Sequence, residues 1–201
     1  MSLSFLLTRA VCEEEALARL VFFLESSLDP TLLSRACQLC YLVAFHCGAT
    51  AVPALLAGVG LHTGLCALLE GRREDLACVK VGSLETGLDV LLRLLEVLLA
   101  RGGCVLGPPC SGGFEGPPVP GPRGPQGRGV FEGRTLLPPL LELMHPFDHP
   151  RRTRENAFVA LAGCLQDSSP ARAGQALLGA LAAGGDLKSP GVGTSEAGGG
   201  G

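Results

Sequence analysis

The hydrophobic positions of this chain fall into helical registers. Leu17, Leu20, Val21 and Leu24 recur at the i, i+3, i+4, i+7 spacing of one buried face and predict a helix over 12–28. Glu13, Glu14 and Glu15 occupy its first turn, where the helix dipole favours anions. Asp29-Pro30 ends that helix and opens the next, because proline fits a first helical turn. The second helix is expected from Thr31 to His46, with Ala36, Leu39, Cys40 and Val43 inward and Gly48 as its stop. It is apolar nearly all round, which places it between two neighbours. Two shorter helices over 52–58 and 61–70 are split at Gly58–Gly60, and Arg72–Asp75 reads as a charged surface turn. A longer amphipathic helix covers Leu84–Ala100. Leu84, Leu88, Leu91, Leu92, Leu95, Leu98 and Leu99 make its apolar side. Asp89, Arg93 and Glu96 make its polar side, with Asp89 and Arg93 at ion-pair spacing.

The helical signal then stops. Residues 102–133 hold 11 Gly and 7 Pro. Gly121-Pro122-Arg123-Gly124-Pro125-Gln126-Gly127 has a collagen-like phase, but it is too short for a triple helix and reads as flexible linker. So long a structureless insertion is uncommon inside a compact domain, which leaves a disordered loop or a splicing artefact. Helical pattern resumes with Leu136, Leu137, Leu140, Leu141 and Met144 on one face, followed by a turn over His145–Pro150. Arg151–Leu165 is amphipathic, with Ala157, Ala160, Leu161 and Cys164 inward and Arg151, Arg152, Arg154 and Glu155 outward. Ala173, Ala176, Leu177 and Ala180 define a last helix over 170–183. The expected organisation is a helical block (1–101), a Gly/Pro-rich linker (102–133), a second helical block (134–183) and a disordered Gly-rich tail (184–201).

Composition supports an all-α fold. Leu and Ala dominate and Ile is absent, whereas strands favour β-branched and aromatic residues. The net charge is −3 and the pI about 5.8, which argues against a general nucleic-acid binder, since that needs a basic surface. Hydrophobic residues make up 47% of the chain and charged ones 17%, with a mean hydropathy of +0.36. Ala36–Leu69 carries no formal charge, and Ala49–Leu69 is long enough to span a bilayer. Gly48, Pro53, Gly58, Gly60, His62 and Gly64 interrupt it, so a helix–turn–helix fits better than a span.

Candidate chemistry is sparse. The nine cysteines are odd in number and mostly sit in apolar helical patterns, and the N-terminus lacks a signal-peptide pattern. Both point to a reducing, cytoplasmic setting. Cys37 and Cys40 form a CxxC near His46 and Cys47, but mid-helix on an apolar face, where core cysteines are expected rather than a zinc or redox site. Cys104 and Cys110 read as exposed linker thiols without a basic neighbour to activate them. His145 and His149 are kept off a shared helical face by Pro146 and Pro150. No nucleotide-binding, hydrolase or kinase signature is present. The sequence therefore assigns no catalytic residue, cofactor or metal site. It offers Arg151, Arg152, Arg154 and Glu155 as a partner-binding patch.

The two helical blocks are alike. Ala36, Leu39, Cys40 and Val43 in the first correspond to Ala157, Ala160, Leu161 and Cys164 in the second, with Pro30 and Pro150 ahead of them. On these residues the chain resembles the armadillo/HEAT-type helical repeats. The likeness is best over 136–165, where Arg154-Glu155-Asn156-Ala157, Ala160-Leu161 and Leu165 follow the third-helix pattern. Residues 52–70 resemble the start of a repeat, and 17–45 match more loosely. The resemblance implies an α-solenoid of about three to four imperfect repeats, a length that suits a fragment or short isoform of a larger scaffold. Where peptide-gripping members carry an Asn, this chain has Gly163 and, in the first half, Leu42.

The expected function is a non-catalytic scaffold or adaptor for protein partners. Two alternatives stand beside it. One is a small membrane-associated protein using 49–69. The other is a regulatory helical-repeat fragment of a larger signalling protein, such as a Fused-type kinase.

Overall fold

The computed structural model describes residues 14–53, 55, 60–102, 104–106, 131–166 and 168–185. These are helical apart from one short strand pair. The first helices are α1 (Glu14–Ser26), α2 (Pro30–Pro53), α3 (Leu61–Gly71), α4 (Arg73–Cys78) and α5 (Gly87–Gly102). The strands β1 (Cys104–Val105) and β2 (Phe131–Glu132) come next, and α6 (Gly133–Leu143), α7 (Arg151–Leu165) and α8 (Pro170–Gly185) follow. The tail beyond Gly185 and most of the Gly/Pro-rich linker lie outside the described residues.

Local chemistry explains the helix starts. Asp29 caps α2, accepting the Thr31 backbone N–H at 2.8 Å and that of Leu32 at 3.4 Å. Pro30 then occupies the first turn, where its missing N–H costs nothing. α5 begins with a capping box. Thr86 Oγ1 accepts the Asp89 N–H at 3.2 Å, and Asp89 Oδ2 accepts the Thr86 N–H at 3.0 Å. This box sets the start of α5 at Gly87, so Leu84 lies outside the helix and is exposed, contrary to the sequence expectation.

α5 is the central helix. It packs against α2 on one side and α7 on the other, with α4 also against it. Leu88, Leu91, Leu92, Leu94, Leu95, Leu98 and Leu99 are all buried. α6 packs on α7 and α8 and touches α3, while α1 lies on α2 and α3. Gly87 lets α2 approach α5 closely: a Cβ there would lie 2.0 Å from Ser34 Oγ and 3.0 Å from the Leu76 carbonyl. Gly163 does the same between α7 and α5, with Leu99 Cβ at 3.2 Å.

Several boundaries differ from the sequence reading. α2 runs through Gly48 to Pro53, because a single glycine costs a helix only about 1 kcal/mol and burial of Val52 offsets that. The expected helix over 52–58 therefore begins inside α2, and 54 and 56–59 lie outside the described residues. Arg72–Asp75 is not merely a turn, since Arg73 opens α4 and Leu76 anchors it in the core. α2 is also less enclosed than expected. Leu33, Ala36, Cys37, Cys40, Val43 and Ala44 are buried, but Leu32, Leu39, Leu42 and Phe45 are exposed. The two-sided burial expected of α2 belongs instead to α5.

The linker edges are part of the fold. β1 and β2 pair in parallel, with Cys104 opposite Phe131 and Val105 opposite Glu132. Phe131 and Leu106 are buried. Among the described residues, no helix is long and apolar enough to cross a membrane.

Candidate functional site

The partner-binding patch expected from sequence maps to the start of α7, and the core fixes where that helix sits. Asp89 on α5 is 2% exposed. Its Oδ1 accepts the Thr153 hydroxyl at 2.9 Å and the Asn156 amide at 3.2 Å, both from α7. Its Oδ2 accepts the Thr86 hydroxyl at 2.9 Å as well as the Thr86 N–H. These donors are all neutral, so hydrogen bonding carries the desolvation of this carboxylate. The expected Asp89–Arg93 surface pair is therefore not formed. Asp89 points into the α5–α7 contact, and the capping box and Thr153 hold it there.

Arg93 turns the other way. It donates to Glu85 Oε1 at 2.9 Å and to the Tyr41 hydroxyl at 2.6 Å, and its guanidinium carbon lies 4.6 Å from the Tyr41 ring centroid. Glu85 Oε1 also accepts Arg152 at 3.2 Å, and Arg152 reaches the Leu84 carbonyl at 3.3 Å. Glu85 thus bridges α5 and α7 through two guanidinium groups. Arg152 remains exposed, but these contacts tie it to the turn before α5 and away from the rest of the patch.

The other three patch residues line one cleft. Arg151, Arg154, Glu155, Phe158 and Val159 line a shallow, open cleft on the outer face of α7. Arg151 pairs with Glu155 at 2.7 Å, one helical turn on, and that hydrogen bond holds the Arg151 guanidinium above its ordinary range. Arg154 is half-buried, and its Nε is buried with no hydrogen-bond partner among the described residues. Phe158 is 59% exposed and Val159 42% exposed. Sequence reasoning did not single out these two apolar residues, although Phe158 falls outside the Ala157, Ala160, Leu161, Cys164 core register. The charges are also placed against local preference. No acidic residue lies in the first turn of α7, while arginines crowd a terminus whose dipole repels cations. Arg151 pairs with Glu155, Arg152 shares the single Glu85 carboxylate with Arg93, and Arg154 has no ion pair among the described residues.

The cysteines offer no second site. Cys37 and Cys40 are buried in α2, and burial pushes the Cys37 thiol up to about 12 and Cys40 well above its ordinary value. Cys104, expected as an exposed linker thiol, is half-buried beside Cys164 because β1 packs on α7. Their hydrogen bond lowers the Cys104 thiol and raises that of Cys164, which burial raises further. Cys110 lies outside the described residues. His145 pairs with Asp148 at 2.9 Å in the exposed turn before α7. No group of three or more His, Cys, Asp or Glu among the described residues is arranged to hold a metal.

Compared with known protein families, with curated proteins and with solved structures, the chain matches none.

Proposed function

We propose that this chain is a non-catalytic helical scaffold of the armadillo/HEAT kind that binds a protein partner along the outer face of α7. The observation that carries this reading is Arg154, which has no ion pair among the described residues and lies on the same face of α7 as exposed Phe158 and Val159. Arg154 Nε is buried without a hydrogen-bond partner among the described residues, and Phe158 and Val159 leave apolar surface in water on the same helix face. An external contact that covers the two apolar side chains and brings a counter-charge to Arg154 would use both features. The layering of α2, α5 and α7 supports the solenoid reading, since stacked helices bury a shared central one. In a cytoplasmic scaffold of this kind, Gly163 serves close packing against Leu99, where a peptide-gripping member would use an amide.

The test is affinity capture with the whole chain, comparing wild type with Phe158→Ser and with Arg151→Glu/Arg154→Glu. Arg152 is left intact because it anchors α7 to Glu85. A discrete partner set lost from both variants, with helical circular dichroism unchanged, is the expected result. Equal capture by all three proteins refutes the reading.

A further inference from the structure

Taking that interaction reading as its basis, we infer that the α7 cleft receives an extended acidic segment of a partner protein. In that segment a carboxylate and a bulky apolar side chain stand two residues apart. The sign of the charge comes from Arg154. Of the charged residues lining the cleft, Arg151 is balanced by Glu155 and Arg154 has no ion pair among the described residues, so the net charge there is positive. A carboxylate suits it best, because guanidinium N–H groups match a planar carboxylate and form short, charge-assisted bonds with it.

The spacing comes from the helix. Arg154 and Phe158 are one turn apart on α7, about 6 Å along its axis at roughly 1.5 Å per residue. In an extended chain, alternate side chains share a face and repeat at about 6.6–6.8 Å. An acidic residue, any residue and then Phe or Leu therefore presents its carboxylate to Arg154 and its apolar group to Phe158 and Val159. A partner helix offers a similar spacing between side chains one turn apart, so spacing alone does not separate the two, and contact area does. The helix would need an apolar stripe several turns long, and this cleft offers Phe158 and Val159 only, with Arg151 and Glu155 before them. A nucleic-acid backbone would meet one open guanidinium in a chain of net charge −3, where phosphate binding needs several cations.

The experiment uses the full chain and short fluorescein-labelled peptides with Gly-Ser flanks. One carries Glu-Ser-Phe, and its controls carry Lys-Ser-Phe, Glu-Ser-Ser, or Glu and Phe side by side. Polarisation measures affinity, and amide NMR shifts locate the contact. Glu-Ser-Phe is expected to bind at least tenfold more tightly than each control and to shift amides of α7. Arg154→Gln and Phe158→Ser should each lose at least tenfold. Arg154→Glu should reverse the preference towards Lys-Ser-Phe, and this gain cannot arise from misfolding. Indifference to the peptide's charge, or unchanged affinity in Arg154→Gln, overturns the inference. A basic or helical peptide that shifts α7 in place of Glu-Ser-Phe overturns the acidic occupant and leaves the interaction reading standing. If no peptide shifts α7 and capture is also indifferent to Phe158, both fail.

Discussion

The hydroxyl of Thr153 on α7 donates to the buried carboxylate of Asp89 on α5 at 2.9 Å. This contact joins two helices through a group that also closes the first turn of one of them. One carboxylate therefore sets both where α5 starts and how α7 lies on it.

Replacing Asp89 with Ala removes the acceptor for Thr86, Thr153 and Asn156 together. Buried donors left without partners cost about 1–3 kcal/mol each before relaxation, so a loss of roughly 3 kcal/mol is expected. Thr153→Val, which keeps the shape and removes one donor, should cost about 1–2 kcal/mol. Urea unfolding followed by circular dichroism measures both. A change under about 0.5 kcal/mol in Asp89→Ala, the range of an ordinary surface substitution, would remove this network as a source of stability.

Gly87→Ala should be destabilising through overpacking. The new methyl would meet Ser34 Oγ and the Leu76 carbonyl, and misfits of this kind typically cost about 1–3 kcal/mol. Ser34→Ala in the same chain should recover part of that loss, because it removes the closest atom. A double-mutant cycle reads the coupling, and strict additivity of the two changes would contradict the close approach.

Alkaline pH should weaken the fold through Cys37 and Cys40. Burial raises Cys37 from an ordinary value of 9.0 to about 12. A group raised in the folded state contributes its stability fully below the unfolded value and loses it as pH climbs towards the folded one. Unfolding free energy should therefore fall between about pH 9 and 12, and less steeply in Cys37→Ala. In thiol labelling, exposed Cys78 should react on the folded chain, and Cys37 and Cys40 only on unfolding. Rapid native-state labelling of Cys37 would show that α2 opens locally.

Glu85→Gln should loosen the start of α7 without unfolding the chain. It removes a carboxylate shared by Arg93 and Arg152, whose side chains are partly exposed, so the expected loss is about 0.5–1 kcal/mol. Hydrogen exchange over the first turn of α7 should rise, and added salt should have a similar effect on the wild type. Unchanged exchange would show that Asp89 alone positions the helix.

Apolar residues recurring at helical spacing predict the helices and most of their buried positions, although Leu39, expected inward, is exposed. The inward positions Ala157, Ala160, Leu161 and Cys164 are all buried, as are Leu17, Val21 and Leu24. What it hid was the use of polar residues. Asp89 looks like a surface acid because its neighbours Arg93 and Glu96 follow the polar stripe, and only the Thr86-x-x-Asp89 spacing hinted at a cap. Burial of that acid depends on Thr153 and Asn156, more than sixty residues away, and periodicity has no access to such pairings. Arg152 reads as part of one basic run with Arg151 and Arg154 for the same reason. Its partner Glu85 belongs to the turn before α5. The exposed pair Phe158 and Val159 was legible in principle as apolar residues off the core register.

The parallel pairing of Cys104 with Phe131 has a consequence for the gene as well as the fold. It sets the two ends of the intervening sequence side by side, each anchored by a buried residue, Leu106 and Phe131. Because the strands run in the same sense, the joining chain has to return along the pair and cannot shrink to a tight turn, but above that minimum loop-closure entropy changes by only about 0.6 kcal/mol for each doubling of length. This is a point where sequence can be added or exchanged while the helices on either side keep their arrangement.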